Sequence, residues 1–196
     1  MKIYFNGCSW TWGAKLSKEK KIHIDGKVFH PDRFSTKVCE YFNAEEVNDS
    51  MCGVSNHYIV RTSLKRNPDD YDLAIIQLTV KSRNEYHDGC IWKQLTTRNN
   101  PKYYDFYSDE MGWHDEYISH KLLSQHFNKC IFLSIERQTK VKVDLQLRSD
   151  KKPRNNYSRF ENNSHPNEEG HIQIASDIIK IINEKKYLFS NRQGFQ

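Results

Sequence analysis

No run of apolar residues in this 196-residue chain is long enough to cross a bilayer, and the N-terminus carries no basic stretch followed by an apolar stretch and a small-residue cleavage site. Both absences predict a cytoplasmic protein with no membrane partner. The five cysteines (Cys8, Cys39, Cys52, Cys90 and Cys130) are odd in number, scattered and without a CxxC pair, which argues against a disulfide framework or a structural zinc site and predicts free thiols. His114, His120 and His126 recur at a spacing that suits neither a helical pair nor a strand pair, so no metal is expected. Internal repeats, low-complexity segments and an interdomain linker are also lacking. One domain over residues 1–187 is therefore expected, with a polar tail over 188–196.

What the chain does contain is a composition able to build a core: 37% hydrophobic, 28% charged and 13% aromatic residues, unlike a disordered polymer. The net charge is +5, and its placement says more than its size. Between Lys129 and Arg154 stand eight basic residues (Lys129, Arg137, Lys140, Lys142, Arg148, Lys151, Lys152, Arg154) against three acidic ones, an excess equal to that of the whole chain. Such a surface is either an ordinary solvated face or an attractor for nucleic acid and other polyanions.

Strand and helix patterns alternate. Lys2 to Phe5 reads as a strand, Phe34, Val38, Tyr41 and Phe42 fall at helical spacing, and Val47 marks a short second strand. The pattern then repeats: Val54, Tyr58, Ile59 and Thr62 predict one face of a helix, and "YDLAIIQLT" is the apolar run of a strand covered on both sides. Residues 81–117 read as a long aromatic and polar excursion over the site. Beyond it come a helix from Glu116 to Phe127, a strand from Cys130 to Ile135, and an alternating segment from Val141 to Leu147 expected as a half-exposed strand or hairpin arm. The final helix starts after Pro166 with Asn167 as cap, Glu168 and Glu169 in the first turn, and an apolar stripe of Ile172, Ala175, Ile178, Ile179 and Ile182.

This alternation predicts an α/β domain with helices on both faces of a mostly parallel sheet, which places ligands at the C-terminal ends of the strands. Ser9 follows the first strand, Gly53 the second and Thr79 the third, while His165 precedes the last helix, so all four are expected on one rim. Their chemistry suits acyl transfer. A serine hydroxyl becomes a nucleophile when an imidazole takes its proton, and the resulting oxyanion needs preset donors. His165 is the candidate base; the N–H groups of Ser9 and Gly53, with the Thr79 hydroxyl, are the candidate oxyanion hole. Arg83, beyond the third strand, could hold a carboxylate or phosphate of a substrate or pair with Glu85 or an aspartate. Each residue also has a plainer reading: Ser9 as a cap, Gly53 as a turn glycine, Thr79 as a strand end, Trp10 and Trp12 as packing, and Cys8 as buried filler.

The blocks in which these residues stand resemble the SGNH or GDSL hydrolases. "GCSWTWG" resembles that family's first block, with its nucleophile at Ser9; Gly53 in "CGVSN" resembles the second; "QLTV" occupies the place of the third; "NNSHPNEEGH" resembles the last. The resemblance implies a three-layer flavodoxin-like fold and a serine esterase or deacetylase without a cofactor, acting on an ester or acetyl group of a small polar or carbohydrate-like substrate. Three positions depart from the pattern. Cys8 replaces an Asp, Thr79 stands where the oxyanion asparagine would be, and Asn162 stands where the triad Asp would be. The Asn162 carbonyl can accept a hydrogen bond from the ring but supplies no charge to an imidazolium; in serine proteases that exchange costs about 10⁴ in kcat. Glu161 or a backbone carbonyl are the other groups that could orient His165. A Ser-His dyad, a triad with a relocated acid, and a catalytically crippled binding protein for nucleic acid or another polyanion all fit these residues, as does acyl transfer to an acceptor other than water.

Overall fold

The structure is a computed structural model, and it describes residues 1–14, 16, 20–24, 26–96, 100–136, 138–147, 165–185 and 187. β1 (Lys2–Asn6) runs into the single turn α1 (Ser9–Trp12). An antiparallel ribbon follows, β2 (Ile22–Ile24) against β3 (Lys27–Phe29), then α2 (Phe34–Phe42), β4 (Glu45–Asn48) and α3 (Asn56–Ser63). After β5 (Leu73–Leu78) comes a hairpin, β6 (Asn84–His87) with β7 (Trp92–Leu95), and then α4 (Asp109–His126), β8 (Cys130–Ser134), β9 (Leu145–Gln146) and α5 (Glu168–Glu184).

Five of these strands form one sheet in the order β4-β1-β5-β8-β9, and every pairing in it is parallel. This is the expected α/β architecture. All six residues of β5 are buried, as a central strand with helices on both faces requires. Neighbouring residues of β1 identify the two faces, since side chains alternate across a strand. Phe5 meets Phe34 of α2 edge-on, and α2 packs with α5; Tyr4 meets Phe127, just past α4, and exchanges a hydrogen bond with Ser63 of α3.

Several expected boundaries shift. The helix predicted from Glu116 starts at Asp109, because Ser108 accepts a hydrogen bond from the Met111 N–H and caps a turn opened by Asp109 and Glu110. The 81–117 excursion is therefore half regular, holding the β6–β7 hairpin and the first turns of α4. Val141 to Leu147 is not a hairpin arm: only Leu145 and Gln146 pair, and they lie parallel to β8. In α5 the buried stripe is Ile174, Ala175, Ile178 and Ile182, with Gly170 and His171, while Ile172 is 56% exposed. Ile174, and not the expected Ile172, begins the apolar stripe. The 188–196 tail lies outside the described residues.

Candidate active site

The strand that delivers Ser9 is held by its own polar end. Asn6, fully buried at the C-terminus of β1, accepts from the Gly7 N–H and turns its amide toward Tyr4, Thr62 and Ser63. The chain then breaks into α1, whose cap position, Cys8, makes no side-chain capping bond. The capping comes from across the sheet. Gln77, buried in β5, accepts from the Thr11 N–H at 3.2 Å and from the Thr11 hydroxyl at 2.8 Å, and donates to Cys8 Sγ at 3.1 Å. Gly7 permits this approach: a Cβ there would lie 2.4 Å from Thr11 Oγ1 and 2.8 Å from Gln77 Cβ.

Ser9 is thereby fixed with its hydroxyl facing the last segment of the chain. His165 Nε2 lies 2.7 Å from Ser9 Oγ, across 156 residues of sequence. Ser9 is 6% exposed and Cys8 fully buried, its sulfur 3.8 Å from Ser9 Oγ. Cys8 is thus more than filler, because its thiol links the serine to Gln77. Asn167 accepts from the Gly170 N–H and caps α5 as expected, anchoring the helix directly after His165. Asn162, and Glu161 beside it, lie outside the described residues.

Gly53 has φ +79°, a conformation that favours glycine, and the space beside it is open. The Met51 N–H donates to Gly7 O at 3.1 Å, so the loop carrying Gly53 is tied to the loop carrying Ser9. Thr79 is fully buried one residue past β5. Its backbone is clamped by Asn56, which accepts from the Thr79 N–H at 2.8 Å and donates to the Thr79 carbonyl at 3.4 Å. Its hydroxyl accepts from Arg83 Nη1 at 3.0 Å. The Thr79 hydroxyl keeps its own hydrogen to serve a ligand. Of the alternatives for Arg83, pairing with Glu85 does not occur, because Glu85 is taken by Arg61 in a two-pronged contact at 2.9 and 3.1 Å, with Gln94 on the second oxygen.

Asn56 and Gln77 are structural partners of the site that the sequence reading passed over. Gln77 carried a signal, being the one polar residue inside the run "LAIIQL". A buried amide in such a strand must find partners. Asn56 carried less, since an Asn after a Ser at a helix start reads as capping alone. Trp10 is buried and Trp12 packs on Phe29 with ring centroids 4.9 Å apart, as the packing reading of both has it.

The helix that follows His165 carries a second, buried histidine. His171, at 0% exposure in α5, accepts the Phe34 N–H at its Nδ1. Burial, helped by His30, Arg33 and His165, pushes its pKa down to about 3. Among the described residues one group of metal-type ligands comes together, and it is not the His114 series: His30, Asp32 and Glu168 bring ligand atoms within 4.8 Å of one another. Lys20 and Lys37 already sit on Asp32 at 2.8 and 3.4 Å. Of the basic 129–154 segment, Lys129 donates to the Tyr187 carbonyl and Lys140 lies over the Trp113 ring; Arg137, Arg148, Lys151, Lys152 and Arg154 are outside the described residues. No helix among the described residues is long and apolar enough to cross a membrane.

No protein-family model matches the sequence, and neither does any curated protein. Solved structures do match. The chain superposes on an acetyl xylan esterase from the rumen bacterium Butyrivibrio proteoclasticus with a TM-score of 0.57 at 14% identity, over 95% of this chain and 65% of that one. A family two carbohydrate esterase from Clostridium thermocellum, solved in complex with cellohexaose, gives 0.52 at 11% identity over 95% and 65%. A structure assigned to the G-D-S-L family as a lipolytic protein, from Desulfitobacterium hafniense DCB-2, gives 0.51 at 12% identity over 92% and 98%. The chain thus spans 65% of the length of these two carbohydrate esterases and nearly all of the third protein. At these identities the likeness is one of fold, and the fold is SGNH/GDSL-like.

Proposed function

We propose that this chain is a serine hydrolase of the SGNH/GDSL kind, its domain spanning residues 1–187, that removes an acetyl or other ester-linked acyl group from a small polar or carbohydrate-like substrate. The observation that carries this reading is the 2.7 Å separation of Ser9 Oγ and His165 Nε2 at the C-terminal rim of a parallel sheet. That distance is within reach for proton transfer between a nucleophile and its base. Structural neighbours that are themselves esterases support the choice of reaction.

In this reading Ser9 Oγ attacks the carbonyl carbon as its proton passes to His165 Nε2. The oxyanion is held by the N–H groups of Ser9 and Gly53 and by the Thr79 hydroxyl. The intermediate collapses with transfer of the His165 proton to the departing alcohol, and water then repeats the sequence on the acyl-enzyme. Asn162 orients the imidazole through its side-chain carbonyl and adds no charge, which predicts a slow enzyme beside one with a carboxylate there.

The test is turnover of 4-nitrophenyl acetate and labelling by a fluorophosphonate. The wild type should show both, and Ser9→Ala should lose the label and about 10³-fold or more of the turnover. A wild type that neither turns over the ester nor takes the label removes the hydrolase reading.

A further inference from the structure

The structure describes four arginine side chains, and three of them are matched by a carboxylate: Arg33 with Glu46 at 2.7 Å, Arg61 with Glu85 at 2.9 Å, and Arg66 with Asp49 at 2.7 Å. Arg83 is the exception. Its side chain is half-buried, its Nη1 donates to the Thr79 hydroxyl at 3.0 Å, and among the described residues it has no acidic partner. The nearest acid in sequence, Glu85, is already engaged through both oxygens by Arg61 and Gln94.

The position of this uncompensated charge is built. Thr79, which Arg83 grips, is clamped on both sides of its peptide by Asn56, and the turn leading to Arg83 is closed by the Arg83 N–H on the Val80 carbonyl at 3.2 Å. The guanidinium is thus anchored by one nitrogen and keeps the rest of its planar fork for another acceptor. Its surroundings belong to the same rim as Ser9. Cys52, next to Gly53, lies within electrostatic reach of both the Arg83 guanidinium and Cys8, the residue before the serine. A half-desolvated cation with no counter-ion among the described residues is costly unless a ligand supplies one.

Resting on the hydrolase reading above, we infer that Arg83 is the specificity residue of the site and that the preferred substrate carries a carboxylate on the part bearing the acyl ester. The carboxylate accepts two hydrogen bonds from the free edge of the guanidinium while the ester carbonyl enters the space between Ser9 and Gly53. This contact is made in the bound substrate and retained through the reaction, so its effect falls on kcat/KM by way of KM.

The experiment compares 4-acetoxybenzoate and 3-acetoxybenzoate with the corresponding neutral amides, each releasing acetate and a phenol read by absorbance. The wild type should prefer a carboxylate over its amide by about 10-fold or more in kcat/KM, the range of a charge-assisted contact. The preference should shrink as sodium chloride rises. Arg83→Gln should bring the ratio close to one, whatever it does to the absolute rate, and Arg83→Lys should leave an intermediate ratio because it keeps charge without the fork. Equal rates on acid and amide for both isomers in the wild type, or a ratio untouched by salt and by Arg83→Gln, would overturn the assignment. The salt series needs no variant, so it decides the matter even where Arg83→Gln does not fold. Loss of turnover on 4-nitrophenyl acetate, by contrast, would remove the hydrolase reading itself.

Discussion

Gln77 and Thr11 are joined by two hydrogen bonds to one oxygen: Gln77 Oε1 accepts from the Thr11 backbone at 3.2 Å and from its hydroxyl at 2.8 Å. A residue of the central strand thus does for α1 what a local cap does for most helices, and the helix so held starts with Ser9. Replacing Gln77 by Met keeps the volume and removes both the acceptor for Thr11 and the donor to Cys8. On the hydrolase reading, turnover should fall by about 10- to 100-fold with KM little changed, because the loss is one of geometry at the reacting atom. Steady-state kinetics on 4-nitrophenyl acetate check this. Thr11→Val, which removes only the hydroxyl contact, should show a smaller loss of the same kind, and a change confined to KM in both variants would contradict the positioning role.

Gly7 should tolerate no side chain. A Cβ there has to displace Thr11 Oγ1 and Gln77 Cβ, and the latter hangs directly from the backbone of β5. Gly7→Ala is expected to cost about 1–3 kcal/mol as overpacking. Thermal denaturation measures it, and an unchanged midpoint would show that α1 can shift without loss.

Asp49, one residue past β4, gathers three donors from separate parts of the chain. It accepts from Arg66 through both oxygens at 2.7 Å, from Lys27 at 3.0 Å and from the Tyr4 hydroxyl at 3.1 Å. Burial alone pushes the carboxyl up, but the hydrogen bonds from Arg66 and Lys27 outweigh it and hold the group below the usual carboxylate range. A carboxyl depressed on folding gives stability that is present above its unfolded value, about 3.9, and lost as pH falls through the folded one. Asp49→Asn should therefore cost about 2–4 kcal/mol at pH 7 in urea unfolding, with the difference from wild type closing below about pH 4. A difference that stays constant into acid would mean the charge is not what matters.

His171 should destabilise the fold in mild acid. Its folded pKa is about 3, well below the ordinary 6.5, so between those values the unfolded chain binds a proton that the folded chain refuses. Stability from this group is intact above about pH 6.5 and declines by about 1.4 kcal/mol per pH unit as pH falls toward 3. His171→Gln, which keeps an acceptor for the Phe34 N–H, should flatten that slope between pH 6 and 4. Parallel curves for the two proteins would refute it.

The layered fold could be read from the sequence because its strongest signals are periodic. Ile75 and Ile76 lie in an unbroken apolar run, and such a run under helices on two sides has few other solutions. The pairing of Ser9 with His165 was reachable through their places relative to strand and helix ends. What escaped was decided by tertiary contact. Ile172 and Ile174 are chemically alike, and only the packing of α5 on α2 selects the second for burial. Leu145 and Gln146 pair parallel to β8 because Asp144 and Leu147 bond across to Phe132 and Ser134, partners that alternation cannot reveal. Arg83 and Glu85 stand two residues apart, yet Glu85 turns to Arg61 of α3, which also lies over the Trp92 ring of the hairpin.

The separation of 156 positions between the two members of the candidate pair also orders events at the ribosome. The serine and the central strands emerge first, while the imidazole and the helix behind it follow, so a nascent chain can collapse its sheet but has no assembled centre until α5 has been made. Hydrolytic turnover would then report the docking of the final helix, and any fragment ending before it would be silent however well its sheet had formed.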